Sequence, residues 1–274
     1  MTTVYQRPYA ERDGSEFQEY EGLTVEYRDA SHRYWLHHGE GRVAAVSVTS
    51  VLKEVLDKPA LLAWAEACGA AGAAQLAAAG ELDGVLPSEA IDRVRLHKLG
   101  MDAKRDAGAD RGTAVHNVLE LWAREHEVPD LADFPAEVRG YVQGLCAWLL
   151  ATRPQPSSME RFVGSVTHTY AGRLDLRATL DGRDCIVDLK TNPRGRVYDE
   201  AHLQSRAYAL ADVECGSEPP EGIVIVAVGE HGGFEMVECE AEAGDWLNVL
   251  GTYRSLSRLR SARSARERLA KAAA

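Results

Sequence analysis

The sequence has no run of eighteen apolar residues and no basic, apolar, small-residue leader. Neither a membrane span nor secretion is expected, and the chain reads as a cytoplasmic protein. Cysteine is scarce: five residues, odd in number, far apart and without a CxxC pair, which argues for free thiols rather than a disulfide framework. No Gly-x-x-x-x-Gly-Lys-[Ser/Thr] loop occurs, so no ATP-driven motor is expected. Internal repeats are absent, and only Ala70 to Ala79 is mildly low in complexity. Positive charge is also in short supply. The net charge of −11 argues at first against a nucleic-acid partner. The way the charge is distributed weakens that objection, because the stretch from Arg254 to Lys271 holds seven of the 31 Lys/Arg and one of the 42 Asp/Glu. Those arginines scatter around a helix rather than lining one face, which suits a solvated helix end. An acidic chain can still hold DNA through a local basic patch, and acidic metal sites add to the negative count.

What is present fits a soluble, core-forming chain: 274 residues, 45% apolar and 27% charged. Thr24 to Val48 reads as short strands ("LTVEYRD", "HRYWLHH", "RVAAVSV") with a turn at Gly39 to Gly41. Helical patterns then run from Thr49 to "PAEVRGYVQGLCAWLLATR", with Asp110 as an N-cap for the helix "DRGTAVHNVLELWAREH" and a loop "PQPSS" after the last. Three strand patterns follow, then a helix from about Asp199 to Val213, two strands ("GIVIVAVG", "GFEMVECE") and a long C-terminal helix. The expected fold is α+β, a mixed twisted sheet with flanking helices. Three regions are expected: 1–109 with N-terminal strands and a helical cap, 110–253 as the core, and 254–274 as a basic helix or tail.

One stretch breaks its own pattern. "GRLDLRATLDGRDCIVDLKTN" alternates like two strands around the turn Asp181-Gly182, yet Ile186 is followed on the same face by Asp188 and Lys190. Pairing these strands brings Asp175 toward Asp188, where two carboxylates repel unless a cation lies between them. Hard oxygen donors favour Mg²⁺ or Mn²⁺, with the Leu189 backbone carbonyl as a further ligand and Lys190 beside the ion. Lys190 could there orient an attacking water or stabilise charge on a phosphate. A salt-bridged surface hairpin would explain the same three residues. Other features add to the set. Glu160, in "SMERFVG", offers another carboxylate, and Gln204 and Tyr208 lie four apart on one helix face. Arg194 and Arg196 follow Lys190 in a loop and are expected to bind DNA phosphates, more so than the Arg-rich tail, and His116 sits at the margin of the apolar stripe Val115, Val118, Leu119 and Trp122.

In order, "GTAVH", "GRLD", "DLK" and "QSRAY" resemble the motif series of the RecB-like PD-(D/E)XK nucleases, over about Gly112 to Ala209. The segment "HRYWLHHGEGRVAAVSVTSVL" is similar to the N-terminal part of phage-encoded and bacterial members. The resemblance implies a restriction-endonuclease-like core and a metal-dependent deoxyribonuclease. Its site would use His116, Asp175 and Asp188 as ligands of Mg²⁺ or Mn²⁺ and Lys190 as the catalytic lysine, with Gln204 and Tyr208 as supports. Exonuclease action on DNA ends, in phage-type recombination or replication with a partner protein of that pathway, is the first expectation. Some relatives hold an iron–sulfur cluster on one Cys before the core and three after it. Here only Cys215 and Cys239 follow the core, so no cluster is expected. The alternative from another class is a non-cleaving DNA-binding or assembly protein that keeps the fold.

Overall fold

A computed structural model of the chain describes residues 10–12, 14–56 and 59–272. Five strands come first: β1 (Ala10–Arg12), β2 (Ser15–Tyr20), β3 (Leu23–Arg28), β4 (Arg33–His38) and β5 (Gly41–Ser47). The last three are the expected alternating segments; β1 and β2 extend the sheet beyond them. Helices α1 (Val48–Val55), α2 (Pro59–Ala78), α3 (Pro87–Leu96), α4 (Met101–Glu125) and α5 (Ala136–Thr152) follow. Ser47 starts α1 as an N-cap, its hydroxyl accepting the Ser50 N–H at 3.1 Å. Then come β6 (Gln155–Ser165), β7 (Tyr170–Leu180), β8 (Arg183–Thr191), α6 (Asp199–Glu214), β9 (Gly222–Val228), β10 (Phe234–Glu238) and α7 (Ala243–Ala272).

The strands form one mixed, twisted sheet in the order β1-β2-β3-β4-β5-β7-β8-β9-β10, with β6 paired to β7 off this path. Two junctions are parallel, β5 with β7 and β8 with β9, and the others are antiparallel. β9 is buried along its whole length, as expected of a strand covered on both faces. One face packs on α6, behind which lie α1 and α7. Its core joins Val25, Leu36, Phe162, Leu174, Ile186 and Trp246, with Tyr170 edge-on to Trp246 at 5.1 Å. On the other face α5 lies against β9 and β10, and the Trp148 indole N–H reaches the Met236 sulfur at 3.4 Å. Among the described residues no helix is long and apolar enough to cross a membrane.

Two compact units emerge: a larger one from the residues up to Leu56 together with those from Val118 onward, and a smaller one over Asp57–Asn117. The smaller holds α2, α3 and the first part of α4, with Cys68, Leu76 and Val94 buried. This division differs from the boundaries read at 109/110 and 253/254: the N-terminal strands belong with the larger unit, and α7 runs unbroken through Arg254. Two local expectations also give way. Asp110 is interior to α4 rather than its N-cap, since Gly108 and Gly112 each cost a helix only ~1 kcal/mol and do not stop it. "PQPSS" is strand rather than loop: β6 starts at Gln155 and tolerates Pro156 at a register shift between Pro156 and Ser158.

The N-terminal strands carry a buried charge. Glu26, only 2% exposed, accepts hydrogen bonds from Arg28 Nε at 2.8 Å and from Arg42 Nε and Nη2 at 3.1 and 3.0 Å, and pairs with His37 Nε2 at 2.8 Å. Burial alone would raise its pKa, but the bonds from Arg28, His37 and Arg42 outweigh that and hold it below the ordinary 4.5. A depressed carboxylate stabilises the fold above its unfolded pKa, and that contribution is lost as pH falls through the folded value. Glu26→Gln is expected to cost ~1–3 kcal/mol at pH 7 in urea unfolding and much less at an acid pH below the folded pKa of Glu26, where the wild-type carboxylate is itself protonated. An equal loss at both pH values would refute this account.

Candidate active site

β7 is shared between neighbours. Tyr170 and Ala171 pair with both β5 and β6, whereas residues 176–180 pair with β8. Between these segments the β8 side of β7 is open, because β8 leaves β7 after Val187 to follow β9 as far as Thr191. Asp175 falls one step past the last pair, Leu176↔Val187, and so stands opposite Asp188. There a carboxylate takes the place of a ladder carbonyl: the Leu189 N–H donates to Asp175 Oδ2 at 2.8 Å. This contact of Leu189 with the site is through its N–H.

On the other side of β7, the pairs Met159↔Leu176 and Arg161↔Leu174 set Glu160 opposite Asp175. Glu160 is in mid-strand rather than at a strand start, and its φ is +48°. That left-handed conformation costs a non-glycine residue on the order of 1–3 kcal/mol, and ordered strand on both sides holds it in place. Arg173 Nε pairs with Glu160 Oε2 at 2.8 Å. His116 lies on α4, in the part of that helix that belongs to the smaller unit. Within the larger unit, a carboxylate oxygen of Glu160 lies within 4.8 Å of one of Asp175.

This donor set suits a divalent cation. Two carboxylates favour Mg²⁺ or Mn²⁺. The close group does not include Asp188. That carboxylate, 1% exposed, pairs with Lys190 Nζ at 2.5 Å. Burial opposes the charge on Lys190, but Asp188 and Asp175 outweigh it and raise the ammonium above its ordinary pKa. Lys190 is therefore a fixed cation next to the carboxylates.

α6 closes the site from above the sheet. Gln204 Nε2 donates to the Tyr208 hydroxyl at 3.0 Å, as their shared helix face predicts. Burial raises the Tyr208 pKa well above its ordinary value, and Tyr34, Asp188 and Asp175 push it the same way, so the hydroxyl keeps its proton. Gly172 makes room for the ring: a Cβ there would stand 2.3 Å from Tyr208 Cε1. In "GRLD", then, the glycine seats Tyr208 and the aspartate, three residues on, faces the carboxylates.

Arg194 and Arg196 lie outside this group, in a loop that Asn192 closes by bonding both the N–H and the carbonyl of Arg196. Arg196 pairs with Glu235 at 3.6 Å. Arg173 was missed by sequence reasoning. Its signal was the strand alternation that puts residues 173 and 175 on one face, a pattern an exposed arginine follows anywhere.

Gly172→Ala is expected to lower stability by ~1–3 kcal/mol by overpacking the Tyr208 ring, with far-UV circular dichroism unchanged. The double variant Gly172→Ala/Tyr208→Ala should lose less than the sum of the single changes, because removing the ring relieves the clash. Strict additivity would mean that Tyr208 is not what Gly172 accommodates. Compared with known proteins, the chain matches no family profile and no curated sequence.

Proposed function

We propose that this chain is a divalent-metal-dependent deoxyribonuclease with a restriction-endonuclease-like core, an exonuclease that processes DNA ends in recombination or replication. The observation that carries the reading is the facing pair of carboxylates Glu160 and Asp175, with oxygens within 4.8 Å, flanked by the Asp188–Lys190 pair. Glu160 supports it further, since backbone strain in mid-strand tends to collect at functional positions.

A divalent ion held by Glu160 and Asp175 would supply Lewis acidity toward a phosphate oxygen and ease deprotonation of water. The chain's own groups do the rest. Asp175 is oriented by the Leu189 N–H. Asp188 holds the Lys190 ammonium at the fork, where it stabilises negative charge that builds on the phosphate during attack. Tyr208, protonated and braced by Gln204, offers a hydroxyl donor from the helix side. Arg173 holds Glu160 in position and adds a second cation next to the carboxylates.

End-labelled linear DNA should be degraded with Mg²⁺ or Mn²⁺ and left intact in EDTA, and covalently closed circular DNA should resist. Asp175→Asn, Asp188→Asn and Lys190→Ala should each lower the rate ~100-fold or more, the scale of losing one electrostatic contact to the transition state. Mn²⁺ should raise the melting temperature of wild type but not that of Asp175→Asn. His116→Ala should slow the Mn²⁺ reaction more than the Mg²⁺ reaction. DNA binding that survives with no cleavage under any metal would replace this reading with a non-cleaving DNA-binding protein.

A further inference from the structure

Beyond the carboxyl ends of β8 and β9 lies a cleft that the site above does not use. It is about 330 Å³ in volume, walled by residues 193–196 on one side and by the β9–β10 turn with Phe234 and Glu235 on the other. In a sheet with parallel strands, this end is where ligands tend to bind. The cleft floor is backbone on backbone. Gly195, at φ +58°, lies so close to Gly229 that a Cβ would come within 2.9 Å of the Gly229 nitrogen, and Arg194 bridges to Gly229. The Glu230 N–H adds a bond to the Pro193 carbonyl at 3.3 Å, so loop and turn are tied together.

The charges in the cleft are unequally committed. Glu235 is the acidic group facing it, and both of its oxygens are engaged: Oε1 with Arg196 at 3.6 Å and Oε2 with the Val197 N–H at 2.6 Å. His231 is exposed and stands 3.6 Å from Glu230. Arg194 also lines the cleft, and among the described residues it has no ion-pair partner. Phe234 lines the same space with 38% of its surface exposed, unusual for a phenylalanine at the start of a strand. An uncommitted guanidinium and an open aromatic face in one small cleft match the two ends of a nucleotide, a phosphate and a base. The volume is near the low end of the ~300–1,000 Å³ typical of small-ligand sites, enough for one nucleotide unit of a single strand.

We propose that this cleft is a single-nucleotide subsite, in which Arg194 binds a phosphate and Phe234 stacks on the attached base. The inference rests on the proposed nuclease reading for its substrate class, though the cleft itself uses none of the carboxylate site. Arg194 is four residues from Lys190, so their Cα atoms are at most ~14 Å apart, and a strand with one phosphate at the carboxylates can enter the cleft a short way along. Stacking does not depend on base identity, so the subsite separates unpaired from paired nucleotides more than one sequence from another.

The test is a titration followed by amide resonances of ¹⁵N-labelled full-length protein in EDTA, with dTMP, thymidine and inorganic phosphate as separate probes. dTMP is expected to shift the Gly195 and Gly229 amides saturably and to bind more tightly than either phosphate or thymidine. Arg194→Ala should weaken dTMP at least about tenfold and abolish the phosphate response; Phe234→Ser should weaken dTMP by a similar factor and leave phosphate unchanged. Asp188→Asn should bind dTMP like wild type, which separates the cleft from the carboxylate site. Absence of saturable shifts at Gly195 and Gly229, or shifts insensitive to Arg194→Ala and Phe234→Ser, would overturn the proposal. If the cleft binds dTMP but DNA survives Mg²⁺ and Mn²⁺, the subsite stands and the nuclease reading falls. If DNA is cut but the cleft ignores dTMP, the reverse holds.

Discussion

Everything at the candidate site depends on one strand being unable to follow two partners. β8 pairs with β7 from Arg183 to Val187 and with β9 from Cys185 to Thr191. Past Val187 only the β9 pairing continues, so β7 and β8 part and the backbone between them loses its ladder. A buried N–H without an acceptor costs on the order of 1–3 kcal/mol, and the Asp175 carboxylate supplies that acceptor for Leu189. The same opening lies in the middle of the sheet, beside β9, which is buried along its whole length. Asp175, Asp188 and Lys190 stand along it, whereas Arg177 and Asp184 in the paired part of the same strands bind each other.

Placing carboxylates in such a fork creates an electrostatic debt that the local structure must settle. Asp188 is almost wholly buried, and a charge in that position is sustainable only with a close, hydrogen-bonded partner. Lys190 provides it, two residues along the same strand and on the same face. Glu160 and Asp175 face one another across β6 and β7 with Arg173 on Glu160, so Glu160, Asp175 and Asp188 together outnumber the cations Arg173 and Lys190. A cation from solution is the natural complement to that excess. The neutral, protonated Tyr208 fits the same logic: a phenolate there would add to the negative charge, and its pKa is pushed away from that state by burial and by the two aspartates.

Much of this was legible in the sequence, and the rest was hidden for identifiable reasons. Strand alternation located β3 to β5 and β7 to β10, and the period of two alone put Asp188 and Lys190 on one face. The i, i+4 spacing on α6 anticipated the Gln204–Tyr208 bond. Strand β6 was partly misread because Pro154 and Pro156 signal a loop, and only a register shift lets proline sit in that strand. The left-handed backbone of Glu160 could not be inferred, because glutamate has no preference for it; only the register of both neighbours imposes it. α4 concealed its true start, since two glycines look like a boundary yet cost less than the rest of the helix gains. Gly172 was visible as part of a motif, but its reason, a ring 2.3 Å from an absent Cβ, is a tertiary fact.

The chain's negative charge then needs no special reconciliation with an anionic substrate. At physiological salt the Debye length is ~8 Å, so acidic groups spread over a surface contribute little at the point where the proposed substrate's phosphate would bind. What matters is the sign of the groups within that distance. The fork presents Lys190 and Arg173, and the cleft beyond it presents Arg194. The basic part of α7 is exposed from Arg258 onward, and two of its arginines are tied down locally, Arg254 to the His168 carbonyl and Arg260 to Glu54. A long helix with cations on every side can add a diffuse attraction but cannot orient a phosphodiester, because only a small share of its charge faces any one ligand. Three cations set on rigid strand and loop positions can do so. For a polyanionic substrate, the placement of positive charge therefore outweighs its total.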